Sequence, residues 1–137
     1  MKINFTKQEY QALVEMLLIA DWVLHGHELE PGDATKPYEA LSKKVLSHHK
    51  AMGMEDEFEY SPKDDDYYET ADYEAHAPHT CFIDAYDDQV FWSQLAERLA
   101  ARDLAAEPAP DLSRTADEEA RLTRVFELTG RYEALFA

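Results

Sequence analysis

Between Phe5 and His25 the chain reads Phe-Thr-Lys-Gln-Glu-Tyr-Gln-Ala-Leu-Val-Glu-Met-Leu-Leu-Ile-Ala-Asp-Trp-Val-Leu-His, and this stretch constrains the fold more than any other. Thr6 and Glu9 have the spacing of a capping box, and Phe5 and Tyr10 that of a hydrophobic staple. Tyr10, Leu13, Leu17 and Leu24 fall near one helical face, with Val14 beside them. Met16, Leu18, Ile19, Trp22 and Val23 spread apolar surface round the rest of the circumference. A helix apolar on nearly every side is expected to be buried, so the other elements should pack around it.

Asp21 interrupts the apolar run. An ionised carboxylate in such a place needs a partner. A metal ligand or a catalytic carboxylate would meet that need, but a structural ion pair with a basic residue of another helix is the simpler expectation. Arg98 and Arg102, one turn apart on a later amphipathic stretch, are the candidate partners.

A chain of 137 residues is expected to form a single helical domain with a real core. Only four glycines, among many Ala, Leu and Glu, favour helix over sheet. The lone Cys81 excludes an internal disulfide and fits a reducing compartment. The amino-terminal stretch has no basic, apolar and small-residue succession of a leader, and the run from Tyr10 to Leu24 is too short and too charged to span a bilayer. These features lead us to expect a cytoplasmic protein.

The expected architecture is all-α, a compact bundle of about four helices. A Pro31-Gly32 turn follows the first helix, and a second begins near Pro37 and stops at Gly53. Tyr38, Leu41, Val45, His48 and Met52 form its apolar row, which makes His48 a core histidine. A third helix runs from Asp84 or Asp87 to Ala105, with Phe91, Leu95 and Leu99 as its stripe. Pro108 and Pro110 then break the chain, and Thr115 and Glu118 repeat the capping-box spacing at the start of a fourth. Residues 54–82 are expected to be an irregular, aromatic-anchored connection. Phe58 and Tyr60 suggest one short strand without a clear partner, and a helical turn is expected around Asp64–Asp72.

The segments Phe5-Thr-Lys-Gln-Glu-Tyr10, Ala20-Asp21-Trp22 and Phe91-Trp-Ser-Gln-Leu-Ala-Glu-Arg98-Leu-Ala-Ala-Arg102-Asp103-Leu104 resemble a group of small acidic helical bacterial proteins with no assigned function. The likeness covers about a third of the chain. It implies an all-α fold and no particular activity.

The net charge is −16, and thirteen of the 29 acids lie between Glu55 and Asp88 against a single base, Lys63. That balance disfavours direct binding to nucleic acid or to an anionic membrane and favours a basic partner or a cation. The same segment holds Phe58, Tyr60, Tyr67, Tyr68, Tyr73, Phe82 and Tyr86, more rings than a disordered acidic tail carries. The leading expectation is a non-enzymatic interaction module that offers an acidic, Tyr-studded face to a basic protein surface, in its sharpest form as a mimic of nucleic acid. Asp64, Asp65, Asp66, Tyr67, Tyr68, Glu69, Asp72, Glu74, Asp87 and Asp88 are the candidate contact residues. The alternative is a metal site at His76, His79 and Cys81, completed by His25 and His27 or by His48 and His49. Carboxylate catalysis by Asp21 with Asp84 or Asp87 is a third reading. No Gly-rich phosphate loop, nucleophile elbow or calcium loop is present, and no cofactor is expected.

Overall fold

The structure is a computed structural model that describes residues 2–26, 32–107 and 114–137, with side chains from 118 onward in the last segment. The Pro31-Gly32 turn, His27, the break at Pro108 and Pro110, and the cap at Thr115 therefore lie wholly or partly outside the described residues. Five helices and one two-stranded sheet are present among them: α1 (Lys7–His25), α2 (Lys36–Leu46), β1 (Phe58–Ser61), β2 (Asp66–Glu69), α3 (Ala71–His76), α4 (Thr80–Ala106) and α5 (Arg114–Phe136). The chain divides into two compact units, Met1–Ile83 and Asp84–Ala137.

The entry of α1 follows the sequence. The Thr6 hydroxyl accepts from the Glu9 amide, and the Glu9 carboxylate accepts from the Thr6 amide at 2.8 Å. These bonds hold the Glu9 carboxyl below its ordinary pKa. Burial of the helix is less complete than its composition suggests. Tyr10 and Val14 are buried, whereas Met16, Trp22 and Val23 are exposed. The core of the first unit joins Tyr10 and Val14 to Leu46, Met54 and Phe58. It is thus assembled from α1, α2 and the segment after α2, not around α1 alone. The Tyr10 hydroxyl donates to the Val45 carbonyl at 2.7 Å, which ties α1 to α2.

The end of α2 departs from expectation. The helix stops at Leu46 and a succession of turns carries the chain to Gly53. His48 and His49 donate backbone N–H groups to Val45 and Leu46, three residues back instead of four. This tighter winding moves the helical phase on, so His49, not His48, enters the core. His49 is 2% exposed and its Nδ1 lies 2.8 Å from the Leu46 carbonyl. Gly53 closes the turns at φ 79°, in the left-handed region where a Cβ is disfavoured.

The all-α expectation needs correction at residues 54–82. Phe58–Ser61 does have a partner strand, Asp66–Glu69, in an antiparallel register that pairs Phe58 with Glu69, Glu59 with Tyr68, Tyr60 with Tyr67 and Ser61 with Asp66. The expected helical turn across Asp64–Asp72 is instead a hairpin loop, a strand and the start of α3. Tyrosines are strong strand formers, and here they outweigh the acids beside them. The four-residue loop closes on Asp65 at φ 53°, a conformation that Asp tolerates and β-branched residues do not. Thr70 then caps α3, its hydroxyl accepting from the Tyr73 amide. Asp65→Val should therefore lower the melting temperature more than Asp65→Asn, although both lose the carboxylate. Equal losses would show that backbone conformation is not the constraint.

Helix α4 begins at Thr80, ahead of the expected Asp84, and so starts within the first unit and continues into the second. The His79 carbonyl accepts the first helical amides, from Phe82 and Ile83. Helices α4 and α5 run antiparallel. Arg124 bonds Glu107 at 2.7 Å, the Tyr132 hydroxyl donates to Asp103, and Trp92 packs on Phe136 with ring centroids 5.1 Å apart. Ala96, Ala100 and Leu128 are buried in the second unit among the described residues.

Candidate acidic interaction site

The hairpin gives the acidic segment two chemically different faces. Residues directly opposite share a face, so Phe58, Tyr60, Tyr67 and Glu69 lie on one side and Glu59, Ser61, Asp66 and Tyr68 on the other. The first face is anchored. Phe58 is 2% exposed, and its ring lies 5.4 Å from Tyr73 and 6.3 Å from His49. Tyr67 packs on His49 at 5.4 Å and on Tyr60 at 5.1 Å. The second face carries exposed Glu59 and Tyr68.

The loop acids are positioned by local bonds. Asp65 is held by Lys43 Nζ and by the Tyr60 hydroxyl, both at 2.6 Å. The Lys43 bond and then the Tyr60 bond keep its carboxyl below the ordinary range. Asp64 accepts from the Ser61 hydroxyl at 2.9 Å, and Asp66 from the Tyr67 amide at 2.8 Å. Burial, reinforced by the charges of Asp64 and Asp66, raises the pKa of the Tyr68 phenol. Among the described residues, only Lys43 and His76 lie within ion-pair distance of acids between Glu55 and Glu74, on Asp65 and Asp72 respectively. Most of the negative charge in that span is thus left for solvent or a partner among the described residues.

A cleft of about 220 Å³ lies beside this face. Leu18, Leu46 and Phe58 form its apolar part, and Asp21, Glu39, Asp66 and Glu69 line it together with one base, Lys43. Burial, then the charges of Glu74 and Asp21, raise the pKa of the Glu69 carboxyl. Neither Asp21, Glu39 nor Lys43 was a candidate for this role in the sequence. Their convergence depends on the α1–α2 pairing and has no local signal.

Asp21 is not the buried charge that its neighbours suggest. Its side chain is 60% exposed, so no arginine is needed to compensate it. Its partner is His25, one turn on, with Nδ1 at 2.8 Å from Oδ1. Arg102 is engaged instead with Asp103 and Tyr132, and Arg98 with Gln94. His25 Nε2 also lies 3.3 Å from Glu39 on α2. Partial burial opposes the charged imidazole, but Asp21 and Glu39 outweigh it and raise the His25 pKa above 6.5. A raised folded-state pKa stabilises the fold below the unfolded value, and that contribution fades as pH rises through the folded one. The stability advantage of the natural chain over His25→Gln should therefore be full below about pH 6 and shrink above neutrality. A difference that does not change across thermal melts from about pH 5.5 to 8.5 would exclude the clamp.

The remaining candidates separate. Asp72 and Glu74 sit exposed on α3, close in sequence to the hairpin. Asp87 and Asp88 belong to the second unit, where Asp88 accepts from the Trp92 indole at 2.9 Å. His76, His79 and Cys81 do not converge. His76 is exposed with Nδ1 at 2.9 Å from the Asp72 carbonyl, His79 is buried, and the exposed Cys81 thiol donates to the Pro78 carbonyl. Burial lowers the pKa of His79, against the opposing charge of Glu15. Among the described residues no group of three His, Cys, Asp or Glu side chains is placed to hold a metal ion. None of the helices, over the same residues, is long and apolar enough to cross a membrane. Comparison with family models, curated proteins and solved structures gives no match.

Proposed function

We propose that this protein is a non-enzymatic interaction module that binds a basic surface of another protein through its acidic hairpin. The observation that carries the reading is the anchoring of the hairpin. An acidic segment tied to the core by Phe58 and Tyr67 presents its carboxylates with little ordering cost on binding. Glu59, Asp64, Asp66 and Tyr68 form the contact face, with Asp72 and Glu74 extending it. The adjoining cleft suits one Lys or Arg side chain, its stem on Leu18 and Phe58 and its charge among Asp21, Glu39 and Glu69. A groove built to hold nucleic acid has the required positive charge, so a nucleic-acid-handling protein is the favoured target class.

The test is capture from a host lysate at low and high salt, with the natural chain and with Glu59→Lys/Asp64→Lys. The expected result is a set of basic, nucleic-acid-binding proteins retained only at low salt and only by the natural chain. Retention that ignores both salt and charge reversal would sink the proposal.

A further inference from the structure

The first unit carries a second concavity with the opposite character. A groove of about 630 Å³ runs between the segment before α1, α1 itself, and α2 with the turns after it. Phe5, Leu13, Leu41 and Val45 line it, and its volume lies within the range of about 300–1,000 Å³ typical of small-molecule sites. Tyr10 also lines the groove, and its hydroxyl is already committed to the Val45 carbonyl. The other polar side chains lining it are Asn4, Lys44 and His48, and no carboxylate lines it among the described residues. In a chain with 29 acids and 13 Lys and Arg, this concave apolar surface has a lysine as its one charged lining residue among those described, the local charge that an anion would meet. Lys44 makes no ion pair with a carboxylate among the described residues.

We infer that this groove binds a free medium-chain alkyl carboxylate, with the alkyl chain along Phe5, Leu13, Leu41 and Val45 and the carboxylate at Lys44, His48 and Asn4. The arrangement matches one headgroup and one tail. Lys44 on α2, His48 in the turns after it and Asn4 before α1 are the polar donors on a lining that is otherwise mostly apolar. An acidic amphipathic helix would want cations distributed along the groove. A cationic or neutral amphiphile would leave the ammonium of Lys44 opposed or unanswered. This site is independent of the acidic hairpin and shares with the cleft beside it none of the residues named for either.

Calorimetric titration of the full chain with decanoate, decanol and decyltrimethylammonium, each below its micelle threshold, tests the assignment. Decanoate is expected to bind at one site, with the other two at least about fivefold weaker. Lys44→Glu should weaken decanoate about tenfold by reversing the one charge it meets. Leu41 is 53% exposed, so Leu41→Trp fills the groove without disturbing the core and should abolish binding. Asp64→Lys, which lies outside the groove, should leave binding unchanged. Equal binding of all three amphiphiles, binding that survives Leu41→Trp, or no decanoate binding would each overturn the inference. Occupation of the groove by an acidic peptide but not by decanoate would also overturn it, in favour of a protein ligand.

Discussion

Phe58→Ala should destabilise the first unit by about 3–5 kcal/mol, the cost of truncating a fully buried aromatic side chain. The reason is positional. Phe58 is the hairpin's one fully buried residue, in a core cluster with Tyr10, Val14, Leu46 and Met54, and its ring meets those of Tyr73 and His49. A two-stranded hairpin has little stability of its own in water, so it depends on this contact. A total stability of about 5–15 kcal/mol leaves little margin after such a loss. Urea unfolding should show a lower midpoint, and amide exchange should accelerate across residues 58–69. Glu59→Ala, one residue on but facing solvent, serves as the control and should leave the midpoint nearly unchanged. A Phe58→Ala midpoint close to that control would mean the hairpin is not held as described.

The second large effect is on binding. Reversing Glu59 and Asp64 together should weaken a basic partner on the order of a hundredfold at low salt, mainly through slower association. Both side chains are exposed and neither belongs to the Lys43–Asp65 pair, so the fold should be unaffected. Tyr68→Ala should act differently. Tyrosine supplies rigid apolar area at an interface, so its loss should speed dissociation and leave the salt dependence intact. Surface-binding kinetics over a series of salt concentrations would separate the two. If the double reversal leaves the association rate unchanged, the acidic face is not the docking surface. The same variant left with an unchanged melting temperature would confirm that binding, not folding, had been altered.

The contrast between Asp21 and Asp65 shows what a charge inside an apolar sequence means. In the chain, Asp21 sits between Leu17 and Leu24 and reads as a buried group in need of an arginine. In the fold it faces outward, bonds the next-turn His25 and helps line the acidic cleft. Asp65 stands in a polar run and carries no such signal, yet it takes a left-handed backbone and bridges to α2 through Lys43. Side-chain chemistry marks which residues need partners. Which partners they meet is set by how the elements pack.

The sequence by itself determined the features that depend on near neighbours. The Thr6–Glu9 cap, the long helices now seen as α1, α4 and α5, and the concentration of charge after Glu55 all follow from spacings of three or four residues or from plain counting. Only the tertiary structure decided the pairing of Asp66–Glu69 with Phe58–Ser61, the exchange of His48 for His49 in the core, and the meeting of Asp21, Glu39 and Glu69 at one cleft. Local hydrogen bonds repeat within one turn and leave a pattern in the chain. Contacts between elements answer to the packing of the whole unit, and a single turn wound more tightly after Leu46 is enough to change which side chain faces inward.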